Sequence, residues 1–237
     1  MATYIYAITA ADHPQKLDGL TGVGDPGGEL RSVKTKALSA VVSDAPEDLR
    51  AKRRDLAAHQ AVLETLMADG ATLPMRFGLV GPDDDSVVSV LEESQSGYTE
   101  RLSELDGCLE YNLKAAREEE SLLREIIGQS EEIRRLREFT REHPEAQDEK
   151  MRLGELVSNE VQARNEAEGK ELVERLAGGA QQYSMGEPTQ QHFLNVSFLV
   201  RREKAAAFSQ AVDEESQRRG EEYKLTLYGP LPPYSFV

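Results

Sequence analysis

The sequence has no tryptophan and one cysteine, and only 6% of its 237 residues are aromatic. Each shortage excludes something. With Cys108 alone, the chain cannot form an internal disulfide, which suits a reducing compartment. With so few rings, the core must rest mostly on Leu, Val and Ala. No segment approaches the 18 or so consecutive apolar residues of a membrane-spanning helix. The first residues, Met1 to Ile8, carry neither the positive region nor the apolar run of a signal peptide, so the expected location is the cytoplasm. Basic residues are also outnumbered. Against 43 acidic side chains there are 28 basic ones, a net charge of −15. A surface of that sign repels phosphate backbones, which disfavours nucleic acid and anionic membranes as partners and favours solubility.

Catalytic and ligand-binding signatures are missing as well. His13, His59, His143 and His192 are scattered, and none has a second ligand at metal-binding spacing. The glycine-rich stretch Gly22–Gly28 lacks the Gly-Lys-Ser/Thr ending of a phosphate loop, and no G-x-S-x-G elbow occurs. The carboxylate runs Glu118–Glu120, Glu131–Glu132 and Glu214–Glu215 fall on polar helical segments. Those segments lack the shaped burial that tunes a catalytic acid. Cys108 reads as a buried, inert thiol. No catalytic residue, metal ligand or cofactor is expected.

What is present is patterned. A chain of this length fits one large domain or two small ones and buries roughly 70–75% of its unfolded surface. Residues 3–9 alternate with both faces apolar, the mark of a central strand. A glycine-rich loop follows, then a hairpin-like pair of strands within 29–43. Leu56, Val62, Leu63, Leu66 and Met67 recur at helical spacing over 52–69. A short strand is expected at 72–77, a helix from about 86 to 105 and a strand at 107–116. Two helices on one face of a mainly antiparallel sheet give an α+β sandwich of ferredoxin-like type over 1–117. The remainder, 118–237, reads as a helix-rich α+β domain. Its first section is charged, with short helices over 118–142 broken near Gly128, and a long helix at 146–177 carries a thin apolar stripe. A strand at 192–200, a helix at 203–219 and a last strand at 222–229 complete it.

Two segments stand out. In Leu73-Pro74-Met75-Arg76-Phe77-Gly78-Leu79-Val80, a proline marks a sheet edge and a cation sits among apolar neighbours. Arg76 is expected to be clamped to a carboxylate within its own domain. In Tyr228-Gly229-Pro230-Leu231-Pro232-Pro233-Tyr234-Ser235-Phe236, the prolines fix an extended tail, and its aromatics are expected to dock on their own domain rather than stand in water.

Together with Tyr4-Ile5-Tyr6-Ala7-Ile8 and Asn195-Val196-Ser197-Phe198-Leu199-Val200, these segments resemble the gas vesicle protein F/L family, in order and across the whole chain. The family's Glu-Trp-Gly-Val-Lys strand stands here as Glu110-Tyr111-Asn112-Leu113-Lys114, which accounts for the missing tryptophan. The resemblance implies two α+β lobes, the first a modified ferredoxin-like fold, and a minor structural or assembly role in gas vesicles with no catalytic residues. It also implies contact with the small hydrophobic major shell protein and other accessory proteins, in the cytoplasm and on the vesicle. The contact residues expected are Pro74, Met75, Arg76 and Phe77, with the long helix at 146–177 as a second surface. The alternatives are a small-molecule enzyme on a ferredoxin-like scaffold and a regulatory binding module using the proline-rich tail.

Overall fold

The structure, a computed structural model, describes residues 1–237. It mixes helix with two antiparallel sheets, as an α+β chain should. By the density of its internal contacts the chain forms two compact units, Met1–Glu110 with Pro230–Val237, and Tyr111–Gly229.

The first unit is built on β1 (Thr3–Ala10). This strand pairs antiparallel with β3 (Leu38–Asp44) on one side and with β4 (Thr72–Pro74) and β5 (Val80–Gly81) on the other. β2 (Arg31–Lys34) adds to the far side of β3. Pairing on both sides and burial on both faces agree with the apolar alternation of residues 3–9. The alternation is interrupted once. Register shifts between Ile5 and Ala7, where a bulge places an unpaired Tyr6 opposite β3.

The helices of this unit occupy opposite faces of the sheet, not the single face expected. Tyr4 and Tyr6 pack with Val62, Leu63 and Leu66 of α1 (Arg53–Asp69). Ile5 and Ile8 instead face Val87 and Leu91 of α2 (Asp84–Glu93) and Tyr98 of α3 (Gln95–Leu105). The helix expected from 86 to 105 is therefore two helices, separated at Ser94. Asp83 caps the first by accepting from Ser86 N at 2.8 Å.

The buried aromatics of β1 bring hydroxyls into an apolar core, and each finds a partner. Tyr6 Oη meets Ser43 Oγ at 2.9 Å and accepts from Val23 N at 2.7 Å, which pins the glycine-rich loop to the core. Tyr4 Oη lies 2.8 Å from His59 Nδ1. His59 Nε2 lies 3.0 Å from the Met75 carbonyl, which can only accept, so the Nε2 nitrogen carries the proton and Nδ1 accepts from Tyr4. Tyr234 Oη, 3.1 Å from the same Nε2, brings the end of the chain into this network. The tail is held further by Glu110, buried on β6 (Cys108–Arg117), which accepts from Ser235 N at 2.9 Å and Ser235 Oγ at 2.7 Å. Phe236 is buried.

In the second sheet the order is β7 (Gln182–Met185), β8 (Leu194–Arg201), β6 and β9 (Tyr223–Leu231). β6 thus belongs here and not to the ferredoxin-like sheet in which the sequence pattern placed residues 107–116. Tyr111 and Phe198 turn their rings to Phe208 of α7 (Ala205–Arg219). The long α6 (Gln147–Ala177) buries Leu172, Val173 and Leu176 near its end. Earlier along it, Leu153, Leu156, Val157 and Val161 cover a small cluster of Leu122, Ile126 and Ile133 from α4 (Glu119–Gln129) and α5 (Glu131–Glu142).

Ion pairs join these elements. The buried Arg117 reaches Glu125 of α4 and Glu168 of α6, and it lies over the ring of Tyr223. Glu215, whose side chain is 4% exposed, receives Arg175, Arg218 and Arg219. The Arg218 hydrogen bond, aided by the other two arginines, holds its carboxyl at about 2.

Glu215→Ala should cost about 3 kcal/mol in urea unfolding, because the buried Arg219 would keep only the more distant Glu171 carboxylate at 3.5 Å while the half-exposed Arg175 and Arg218 recover solvation. The depressed acidity makes Glu215's contribution complete above the ordinary carboxylate range and lost as the pH falls toward about 2. For His59, burial holds the imidazole below its usual value, so the neutral form is the one that folds. Its contribution is complete above about pH 6.5 and declines below it, and His59→Gln should flatten the pH dependence of unfolding between about pH 7.5 and 5. Leaving Tyr4 without its acceptor should also cost about 1–3 kcal/mol.

Candidate functional site

Residues 73–80 form an excursion at the edge of the first sheet. Met75 N donates to the Tyr6 carbonyl at 2.8 Å, the last ladder bond beyond β4. Ile5 N donates to the Leu79 carbonyl at 3.0 Å, where pairing resumes. Between them a turn closes from Leu79 N to the Arg76 carbonyl at 3.2 Å. Its third residue, Gly78, has φ +93°, a conformation that side chains rarely adopt. The glycine of the Pro-Met-Arg-Phe-Gly segment is thus required by the turn.

The turn sends successive side chains to different places. Pro74 is buried in β4. Phe77 folds back onto the core, with its ring 6.0 Å from Tyr4 and 5.7 Å from His59. Arg76 points outward. It is exposed and makes no ion pair, which corrects the expectation of an internal clamp: the turn carries its side chain away from the sheet, so burial never demands a counter-charge. Of the four contact residues expected from the sequence, Pro74 and Phe77 serve the core, Arg76 is free in solvent, and Met75 is half-buried.

Met75 leads to a feature that sequence reading missed. It lines an apolar cavity of about 300 Å³ together with Ile5, Ile8 and Ala40 on the sheet, Leu79–Pro82, and Val87, Val90, Leu91 and Tyr98 on α2 and α3. Ile5 and Ile8 share this face only because of the bulge at Tyr6, since an unbroken strand would point them to opposite sides. The cavity opens to solvent, and Leu79, Val80 and Val90 on its rim are each more than 40% exposed. Other exposed apolar side chains, such as Leu56 and Tyr183, stand outside this cavity, whereas these three adjoin it. The one signal in the sequence is Val90, an apolar residue on a short helix already supplied with Val87 and Leu91 for its buried side.

A second cleft, of about 370 Å³, is lined by the glycine-rich loop, Ala45–Leu49, Lys52, Arg54 and Asp55. Three of its charges are engaged in structure: Asp55 accepts from Gly24 N at 2.9 Å and Asp25 pairs with Arg54 at 2.8 Å. The tail, expected to dock on the domain 118–237 to which the sequence pattern assigned it, belongs instead to the first unit: it is seated on the Tyr4–His59 network, with Tyr234 pushed up to about 12 by burial. No helix of the chain is long and apolar enough to cross a membrane.

Comparison with known proteins places this architecture. The gas vesicle protein F of Streptomyces sp. (strain CB03234) is 43% identical to the chain, with all of both proteins covered. Among solved structures, the gas vesicle protein GvpF from Microcystis aeruginosa superposes with a TM-score of 0.82 at 26% identity, covering 99% of this chain and 98% of that one. GvpF from Anabaena sp. PCC7120 gives 0.85 at 23% identity over 99% and 97%, a likeness of fold. The family model for the gas vesicle synthesis protein GvpL/GvpF matches residues 2–237. The chain belongs to the GvpL/GvpF family of gas vesicle synthesis proteins.

Proposed function

We propose that this protein is a non-enzymatic assembly or minor structural component of gas vesicles that binds the hydrophobic major shell protein. Membership of a family named for gas vesicle synthesis supports the setting. The observation that carries the contact is the open apolar cavity beside Met75, rimmed by Leu79, Val80 and Val90. A shell protein that keeps water out must expose apolar surface before it assembles. A partner with net charge −15 and one local apolar groove can cover such surface without itself aggregating. In this reading the excursion Pro74–Phe77 contributes unequally. Met75 and Arg76 face the partner, and Pro74 and Phe77 hold the loop in place. The same setting puts the protein in the cytoplasm and on the growing vesicle, in the company of other accessory proteins.

Co-expression with the shell protein followed by pull-down tests the contact. Leu79→Asp with Val90→Asp should abolish capture with the fold retained, because both side chains sit on the rim and are already 43% and 49% exposed. Capture at the wild-type level by this variant would overturn the assignment of the groove. The loop should divide in the same assay. Phe77→Ala should lower stability by about 2–3 kcal/mol through lost packing on Tyr4 and His59. Arg76→Ala should stay within about 0.5 kcal/mol of wild type and weaken capture alone.

A further inference from the structure

The charges around the groove specify its occupant further than its apolar lining does. From Phe77 to Glu100 the chain holds Asp83, Asp84, Asp85, Glu92, Glu93 and Glu100 and no lysine or arginine. Asp84 is neutralised by Arg31 at 2.8 Å. Asp83 caps α2 and feels the N-terminal ammonium, and Asp85, Glu92 and Glu93 are exposed and make no ion pair. On α2 the groove is lined by Ser86, Val87, Val90 and Leu91. Asp83 lies one helical turn before Ser86, and Glu93 one turn after Val90, so both ends of the apolar stripe finish in a carboxylate. Along the opposite lip, Arg76 adjoins Met75 with no counter-ion.

The sheet edge here excludes a strand as the ligand. β4 ends in Pro74, which has no N–H to offer, β5 is only two residues long, and the turn 76–79 interrupts the line between them. A partner must therefore bind through side chains, and a helix presents apolar side chains at the spacing that Val87, Val90 and Leu91 themselves show.

We propose that the groove binds an amphipathic helical segment of the partner whose apolar face is flanked by lysine or arginine. Its apolar residues enter the cavity, its cations lie along the α2 lip, and Arg76 takes an acidic side chain on the other side. This rests on the reading of the groove as the shell-protein contact. It adds that the contact is selective by charge as well as hydrophobic, so the acidic lip steers approach and rejects apolar segments with acidic flanks.

The test uses the full-length protein and two synthetic helical peptides with leucines on one face, one flanked by lysines and the other by glutamates, read by fluorescence anisotropy. The lysine-flanked peptide should bind at least about tenfold more tightly at low salt, and the gap should narrow at about 0.5 M salt. Asp83→Asn with Glu93→Gln should shrink the preference while leaving unfolding unchanged, since asparagine keeps the cap of α2. Val90→Asp, or independently Leu79→Asp, should remove binding of both peptides. Equal binding of the two peptides, binding of neither, or a preference that survives neutralisation of the lip would overturn the proposal. Shell-protein capture with the same variants separates the two readings. If Val90→Asp loses the peptides but still captures the shell protein, the shell contact lies elsewhere while the groove's selectivity stands. If capture needs the groove but the peptides show no preference, the selectivity falls and the contact stands.

Discussion

A buried hydroxyl in an apolar core must be hydrogen-bonded, and β1 brings two of them, Tyr4 and Tyr6, onto the same face. Much of the first unit is arranged around meeting that demand. Tyr6 draws in Ser43 of β3 and the backbone of the glycine-rich loop at Val23. Tyr4 needs His59, which fixes where α1 lies on the sheet, and it accepts from Gly78 N at the turn of the edge excursion. His59 in turn reaches the Met75 carbonyl and Tyr234. One constraint thus places a helix, a loop, the excursion that borders the groove, and the tail. The bulge at Tyr6 belongs to the same arrangement, and its by-product on the other face is the pairing of Ile5 with Ile8 that floors the cavity.

The second unit solves its packing by different means. Its helices are highly charged and its apolar seams are thin, so arginines with several carboxylates stand in for a wide core. The guanidiniums of Arg117 and Arg219 both lie over the ring of Tyr223, and Glu215 gathers three arginines. Buried pairs of this kind add less net stability than apolar packing would, but they penalise any register in which a partner is lost. That suits a long helix whose stripe is too narrow to fix its own rotation.

Much of this was legible in the sequence. The helices over 52–69 and 146–177 and the strand over 192–200 were readable because their periodicity is local. The family markers at both ends were readable because turn chemistry and proline restrict what such segments can be. Sheet membership was not readable: Glu110–Lys114 alternates equally well in either sheet, and only long-range pairing assigns it to the second. The break at Ser94 escaped because Leu91 and Tyr98, seven residues apart on either side of it, would share one face of an uninterrupted helix. The groove escaped for a related reason. Its floor depends on a bulge, and a bulge leaves no mark in a strand whose neighbours are apolar on both faces. Arg76 was misjudged because the residues beside it are apolar, although a turn can part neighbours in sequence as widely as a strand does.

The tail has a consequence for synthesis. Tyr234 and Phe236 leave the ribosome after the whole of the second unit, yet they complete the core of the unit that emerges first. That unit can form its sheet early, but Glu110 and His59 then wait, with the side of the core that residues 230–237 will cover still wet, until the intervening second unit has been translated. Completion of the first unit is thereby coupled to synthesis of the second, so a product truncated before Pro230 would display an unfinished core and be open to proteolysis in place of competing for partners.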